Sequence, residues 1–412
     1  MLIKKALGRC AAVVVLASSP FFVGSGFADD GVEERIESLE QELSELRSVM
    51  DRQSTSGSST SIGGYGEINY NNHENDSKRD EFDVQRFILF VGHQFSDRTR
   101  MMSEIEFEHA QVKGGESGGE VAMEQAYIEH SLKPGLNLRA GLQIVPIGLI
   151  NEYHEPPVFW GTERNEIETR IIPSTWREIG FSLNGKTMTG LEYFGGISTT
   201  PDASKFKSTS ASKGFKDMRV SGKQVTANDM GFYAGFNYTG ILGLKFGGTV
   251  WSGNTGQDGQ GKGDNKAELD GFDATLTIYE GHFSWEANDF EFNGIYAKGS
   301  LGDTEAINAS AGLSAGSNAA APESFSGWYL EAAYHMFRDG DTSIAPFVRY
   351  ADYNTQEEVA PGFTINPDND DSATTIGVNW YVHPDVVFKI DHQSYDTNTD
   401  QDRTNVGIGW MF

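Results

Sequence analysis

Between residues 62 and 412, apolar and polar side chains alternate with a period of two, in runs joined by connections that alternate between short and long. Such alternation gives each strand one apolar and one polar face. Candidate strands are 62–71, 82–95, 99–110, 120–132, 136–145, 175–184, 189–198, 229–238, 243–252, 270–287, 290–299, 325–337, 342–353, 372–382, 386–397 and 403–412, sixteen in all. Connections after even-numbered strands are short, as at Ser96 to Arg98, Lys133 to Gly135, Gly185 to Met188, Asn288-Asp289, Arg338 to Asp341 and His383 to Asp385. Those after odd-numbered strands are mostly long and polar, as over 199–228, 253–269, 300–324 and 354–371, with Asn398 to Asp402 as the exception. An even-stranded sheet with tight turns at one rim and long loops at the other is what a closed membrane barrel requires. A soluble sandwich has no reason to alternate in this way. Composition decides less, because 48 glycines and 12% aromatics would also suit a large soluble β-protein. No later run approaches the length of an apolar membrane helix. The fold class is therefore all-β, a transmembrane antiparallel β-barrel of sixteen strands with a short N-terminal coiled-coil helix.

The region before the barrel divides into three. Residues 1–28 read as a signal peptide: Lys4, Lys5 and Arg9 precede the mostly apolar stretch Ala11 to Val23, and small residues stand before Asp29. Cys10 lies within it and Arg9 precedes it, so the mature chain is expected to have no thiol or disulfide chemistry. Over 29–53, Val32, Ile36, Leu39, Leu43, Leu46 and Met50 recur at heptad spacing, which predicts a periplasmic coiled-coil helix. Three heptads are short for an isolated coil, so a barrel oligomer would have to hold the strands together. Residues 54–61 read as a flexible linker, and 62–412 as the outer-membrane barrel. At the other end, Phe412, Trp410 and Ile408 form an apolar face on an alternating strand, like the terminal signal that bacterial barrel-assembly machinery recognises.

Facing follows from lipid. Ile105 and Phe107 alternate with Glu104, Glu106 and Glu108; Leu136, Leu138, Leu142 and Ile144 alternate with Asn137, Arg139 and Gln143. Ile344, Val348 and Tyr350 set Arg349 inward, while Val386, Phe388 and Ile390 do the same for Lys389, Asp391 and Gln393. Phe87, Leu89 and Val91 likewise place Arg86 inside. A mid-membrane Arg or Lys facing lipid would cost about 2–4 kcal/mol, so the charges are expected to line the lumen. A sixteen-stranded barrel is too wide for its own side chains to fill. The connection Pro146 to Ser174 carries Ile147, Ile150, Tyr153, Val158, Phe159, Trp160, Ile171 and Ile172, too apolar for an exposed loop, and is expected to pack against the inner wall. Its charges, Glu152, His154, Glu155, Glu163, Arg164, Glu166, Glu168 and Arg170, are the candidate pore constriction.

The segments Asn151-Glu152-Tyr153-His154-Glu155-Pro156-Pro157, Gly161-Thr162-Glu163-Arg164-Asn165 and Glu168-Thr169-Arg170-Ile171-Ile172-Pro173-Ser174-Thr175-Trp176 resemble porins of the phosphate-selective O/P family, as do the flanking Glu124-Gln125-Ala126-Tyr127 and Arg139-Ala140-Gly141. The resemblance implies a sixteen-stranded barrel, a homotrimer, and a loop folded inward after strand five. The family's basic path is not matched: Arg86, Arg139, Arg349 and Lys389 are scattered, and the chain carries a formal net charge of −27. A net-acidic lumen concentrates cations.

The expected function is a porin, a passive channel for small hydrophilic solutes or ions with a weak cation bias, which neutralising Glu104, Glu106 and Glu108 together should shift. The alternatives are a structural barrel tethering the outer membrane through its coiled coil, and a phosphate- or anion-selective channel. No GxSxG or HExxH motif and no paired metal-ligand spacing is found in the sequence, so neither an enzyme nor a metal site is expected. No cofactor or nucleic-acid partner is expected either. The expected partners are outer-membrane lipid, the barrel-assembly machinery, two further copies of the chain, and the solutes.

Overall fold

The computed structural model describes residues 59–110 and 119–412. The signal peptide and helix expected over 1–53, with the first part of the linker, lie outside the described residues. The sixteen strands are β1 (Ser59–His73), β2 (Glu81–Ser96), β3 (Thr99–Glu108), β4 (Val121–Lys133), β5 (Leu136–Ile144), β6 (Arg177–Lys186), β7 (Leu191–Ser198) and β8 (Gly231–Ile241), followed by eight more. These are β9 (Leu244–Gly253), β10 (Leu276–Ala287), β11 (Phe290–Leu301), β12 (Pro322–Tyr334, resumed at Phe337–Asp339), β13 (Thr342–Val359), β14 (Asp370–His383), β15 (Val386–Tyr395) and β16 (Arg403–Met411). Each expected strand is present. β1 begins at Ser59, so the last residues of the stretch read as linker are strand.

Every strand pairs antiparallel with its sequence neighbour, and β1 closes on β16 in continuous register from Tyr65↔Met411 to His73↔Arg403. Closure leaves no strand edge to be satisfied in lipid. The tight turns are compact: Asn288 and Asp289, at φ 49° and 69°, join β10 to β11 in the left-handed geometry that matches strand twist. Outward residues include Phe181, Phe232, Val250, Leu330, Ile376 and Ile390, all exposed. Toward the tight-turn rim they become aromatic, with Trp285, Phe290, Tyr334, Trp380, Phe388 and Phe412 in stacked or tilted pairs where a headgroup girdle belongs.

Two expectations about facing are corrected. Ile144, read as lipid-facing, is buried; beside it Gly222 of the connection after β7 lies against the outward Leu142 and Ile179. Inward positions of β8 to β13 are also not uniformly polar. Tyr233, Trp251, Ile278, Ile295, Phe325, Tyr329, Ala351 and Tyr353 are buried in one apolar cluster with Phe206, Phe215, Met218, Leu269 and Ile307. The last five belong to the connections 199–230, 254–275 and 302–321, which fold in over the long-loop rim instead of standing in solvent. Their apolar residues are sparse in sequence, so composition makes these loops look polar although they share a core.

Candidate functional site

The connection from β5 to β6 forms a belt across the lumen. Its two ends are stapled together: Val145 N donates to Trp176 O at 2.9 Å, and the buried Asn151 donates from Nδ2 to Val145 O at 2.7 Å and accepts from Trp176 N at 3.1 Å. From this neck the chain runs first to β3 and β4, where His154 is buried. It then turns at Pro156–Val158 against β1, β15 and β16. Gly409 of β16 makes this approach possible, since a Cβ there would stand 2.2 Å from Pro156 Cβ. The single helical turn Ile167–Ile171 packs on β11, β12 and β13 before the chain returns to Trp176.

The far wall holds the belt by charges that periodicity had assigned to the lumen surface. Lys389 Nζ donates to Phe159 O at 3.0 Å and Gly161 O at 2.6 Å, and sits 3.7 Å from the Phe159 ring centre. Asp391 accepts from Thr162 N at 2.6 Å and from Asn405 Nδ2 at 2.7 Å. Arg349 donates to Glu331 at 2.9 Å, Trp160 O at 3.2 Å and Glu163 O at 3.3 Å. All three point inward, and all are buried beneath the belt. They anchor the loop and do not face water.

The eight candidate constriction residues separate by environment. Glu168 is fully buried and accepts from Leu149 N at 2.6 Å, Ile150 N at 2.8 Å and Asn165 Nδ2 at 2.8 Å, so it shapes the loop from inside. Burial pushes its carboxyl pKa up against those donors. Glu166 is buried against Tyr395, which donates to it at 3.2 Å. Glu152, Glu155, Glu163, Arg164 and Arg170 keep part of their surface. Glu163 accepts from Asn71 at 3.0 Å, and Arg170 donates to Gln401 at 2.8 Å while lying over the Tyr353 ring. Glu152 stands 3.9 Å from Arg139, and both line a cavity of about 260 Å³ whose wall also carries Asn137, Lys186, Glu192 and Lys245.

The remaining lumen charges are mostly paired. Arg86 reaches Glu67 at 3.2 Å and Glu106 at 3.7 Å, while Glu129 is shared between Arg100 and Arg139, the latter at 3.1 Å. Glu104 and Glu106 are buried and Glu108 half-buried, so the three do not form an open acidic stripe.

One grouping escaped the sequence. The β3–β4 register shifts between Glu104 and Ile105, where Glu104 pairs with Gln125 and Ile105 with Met123. The extra residue of this bulge is Glu124, which is buried beside Glu104. His154 Nε2 lies 3.5 Å from Glu104 and 3.4 Å from Glu124. Burial and Arg164 push the imidazole pKa down, but the two glutamates outweigh them and leave it raised to about 9. No spacing rule brings residues 104, 124 and 154 together. Three side chains of metal-ligand type thus come together although no paired spacing in the sequence marks them.

No family model matches the chain. It is 30% identical over 361 residues to an uncharacterized protein of Aquifex aeolicus (strain VF5), covering 85% of this chain and 80% of that one. Among solved structures it is similar to OmpF of Salmonella typhi, solved in complex with daunomycin, with a TM-score of 0.55 and 13% identity over 86% of this chain and 98% of that one. It is also similar to the outer membrane channel DcaP of Acinetobacter baumannii, with a TM-score of 0.51 and 12% identity over 87% and 99%. At these identities the likeness shows a shared fold.

Proposed function

The chain belongs to one family with the uncharacterized Aquifex aeolicus protein and has the fold of the outer-membrane porins; from that premise we propose that it is itself an outer-membrane porin, a passive channel for small hydrophilic solutes or ions. The observation that carries this reading is the belt. A closed barrel this wide leaves an aqueous passage unless a loop enters it. Here the segment 146–174 enters and is fixed to the far wall by Arg349, Lys389 and Asp391. The loop thereby narrows the passage without needing any reacting group, so the proposal includes no enzyme activity. A homotrimer assembled with help from the heptads of 29–53 belongs to the same proposal, as does a place in the outer membrane. The resemblance to the phosphate-selective O/P porins enters it as kinship in barrel and loop, without phosphate selectivity.

Selectivity in this reading comes from the charges that keep contact with the passage. Glu152 and Arg139 stand 3.9 Å apart on the wall of one cavity toward the tight-turn end of the lumen, and charges of both signs at a narrow point set the local field that a passing ion meets. Two substitutions test it, read as reversal potential in a salt gradient across a planar bilayer. Glu152→Gln should move the reversal potential toward anion preference and Arg139→Gln toward cation preference. Movement of both in one direction, or of neither, contradicts the assignment. Liposome swelling tests the wider proposal: vesicles carrying the full chain should swell in small neutral sugars and stop swelling as sugar size rises. Vesicles that swell no faster than empty ones count against a porin.

The belt also depends on one backbone approach. Gly148 has φ +80°, and a Cβ there would lie 2.3 Å from Glu168 Oε1. Gly148→Ala therefore meets both a left-handed backbone penalty of about 1–2 kcal/mol and the carboxylate that organises the loop. A lower unfolding temperature and a larger, noisier conductance are expected. An unchanged conductance trace would show that Glu168 does not set the loop's shape.

A further inference from the structure

The grouping of Glu104, Glu124 and His154 has the form of a ligand set. Each side chain is buried, and each has one polar atom already committed elsewhere. His154 Nδ1 lies 3.0 Å from Asn151 O, an acceptor only, so Nδ1 carries a proton. Gln125 Nε2 donates to Glu104 Oε2 at 2.7 Å, and Arg177 Nη1 donates to Glu124 Oε1 at 3.1 Å. The three atoms left over are His154 Nε2, Glu104 Oε1 and Glu124 Oε2. They lie within 4.8 Å of one another, and all three are buried without a hydrogen-bond partner.

The two N···O distances match the spacing of ligands around a metal more closely than that of a hydrogen bond. A charged imidazole N–H donating to a carboxylate settles at about 2.7–2.9 Å. Nε2 instead stands 3.5 and 3.4 Å from the two oxygens, favouring neither. Bonds of about 2.0–2.1 Å to a four-coordinate metal place neighbouring ligand atoms about 3.4 Å apart. The committed atoms play the part that outer-shell hydrogen bonds play around metal ligands, fixing the tautomer and aiming the carboxylates. From this geometry we propose that Glu104, Glu124 and His154 bind one divalent transition-metal ion of zinc type, which ties the inward loop to β3 and β4. Two carboxylates and a neutral imidazole offset the charge of the ion. The three residues leave a fourth position that none of the described side chains is shown to fill. The ion would fasten the near side of the belt as Arg349 and Lys389 fasten the far side. This inference does not depend on what the passage carries.

The test uses the full chain folded into detergent micelles in the presence of Co²⁺ or Zn²⁺ and then desalted. Barrel folding is read independently from gel mobility before heating. The folded protein should hold one ion per chain, with the visible absorption of four-coordinate Co²⁺. Glu104→Gln, Glu124→Gln and His154→Gln should each lower retention by about tenfold or more, while Glu152→Gln retains it. Folded wild-type protein that holds no ion would overturn the proposal and leave the cluster as an imidazolium between two carboxylates. Retention unchanged in all three variants would overturn it too, by placing the ion elsewhere. Should a variant fail to fold, X-ray absorption at the zinc edge of the wild-type protein decides. One imidazole among oxygen neighbours is the expected shell; two or more imidazoles, or none, rule the site out.

Discussion

Arg349→Ala is expected to give a barrel that unfolds at lower temperature and conducts in larger, noisier steps. Arg349 is 2% exposed, and its guanidinium joins Glu331 of β12 to two carbonyls of the belt. Removing it leaves the Glu331 carboxylate buried without its cation, a change that costs about 3–5 kcal/mol in other buried pairs. It also removes two of the contacts that hold Trp160–Glu163 to the far wall, leaving those of Lys389 and Asp391 and so loosening the segment. A second variant separates the two effects. In Arg349→Met combined with Glu331→Met both charges are gone, so most of the stability should return. The carbonyls of Trp160 and Glu163 still lack their donor, so the enlarged conductance should persist. A double variant that recovers both properties would mean that Arg349 acts on the wall alone and does not hold the belt.

Trp176→Ala is the second large effect. Trp176 is fully buried at the neck of the belt, with ring centres 5.0 Å from Phe215 and 4.9 Å from Trp251, and its Nε1 donates to Glu178 at 3.0 Å. It connects the belt, the barrel wall at β9 and the connection 199–230. Truncating a buried tryptophan costs about 3–5 kcal/mol, and here it also strips a donor from a buried carboxylate. The connection 199–230 should become open to protease while the strands stay folded, and solute flux should rise because the long-loop rim loses its packing. Trp176→Phe, which keeps most of the ring contact, should stay close to the parent in flux. Equal protease resistance in parent and Trp176→Ala would show that the connection is held by other contacts.

Much of the barrel was legible because membrane strands obey one rule at every second residue. Lipid enforces the outward face, so alternations such as Phe388 and Ile390 against Lys389 and Asp391 could be read directly. The inward loop was legible as well, since Phe159, Trp160 and Ile171 are too apolar for an exposed connection. What stayed hidden was which inward charges meet water. Periodicity gives direction and says nothing about cover, so Arg349, Lys389, Asp391 and Glu104 looked like lumen surface until the belt was seen lying on them. The folded-in loops were hidden for a related reason: Phe206, Phe215 and Met218 are single apolar residues in polar surroundings. Glu124 was hidden by a bulge, which breaks the alternation that sequence reading depends on. These differences change the electrostatic argument. The acids that seemed to make a cation-attracting stripe are largely buried or paired, so the selectivity proposed for the channel is assigned to a few half-exposed loop and wall charges and less to the total.

The central claim is that a fixed inward loop makes this barrel a narrow diffusion channel, and single-channel recording tests it most directly. The full chain inserted into planar bilayers should give discrete, ohmic current steps in the parent and larger steps once the loop is loosened by Arg349→Ala. Bilayers that stay at the baseline of protein-free membranes, with folded barrel present in both forms, would contradict the account.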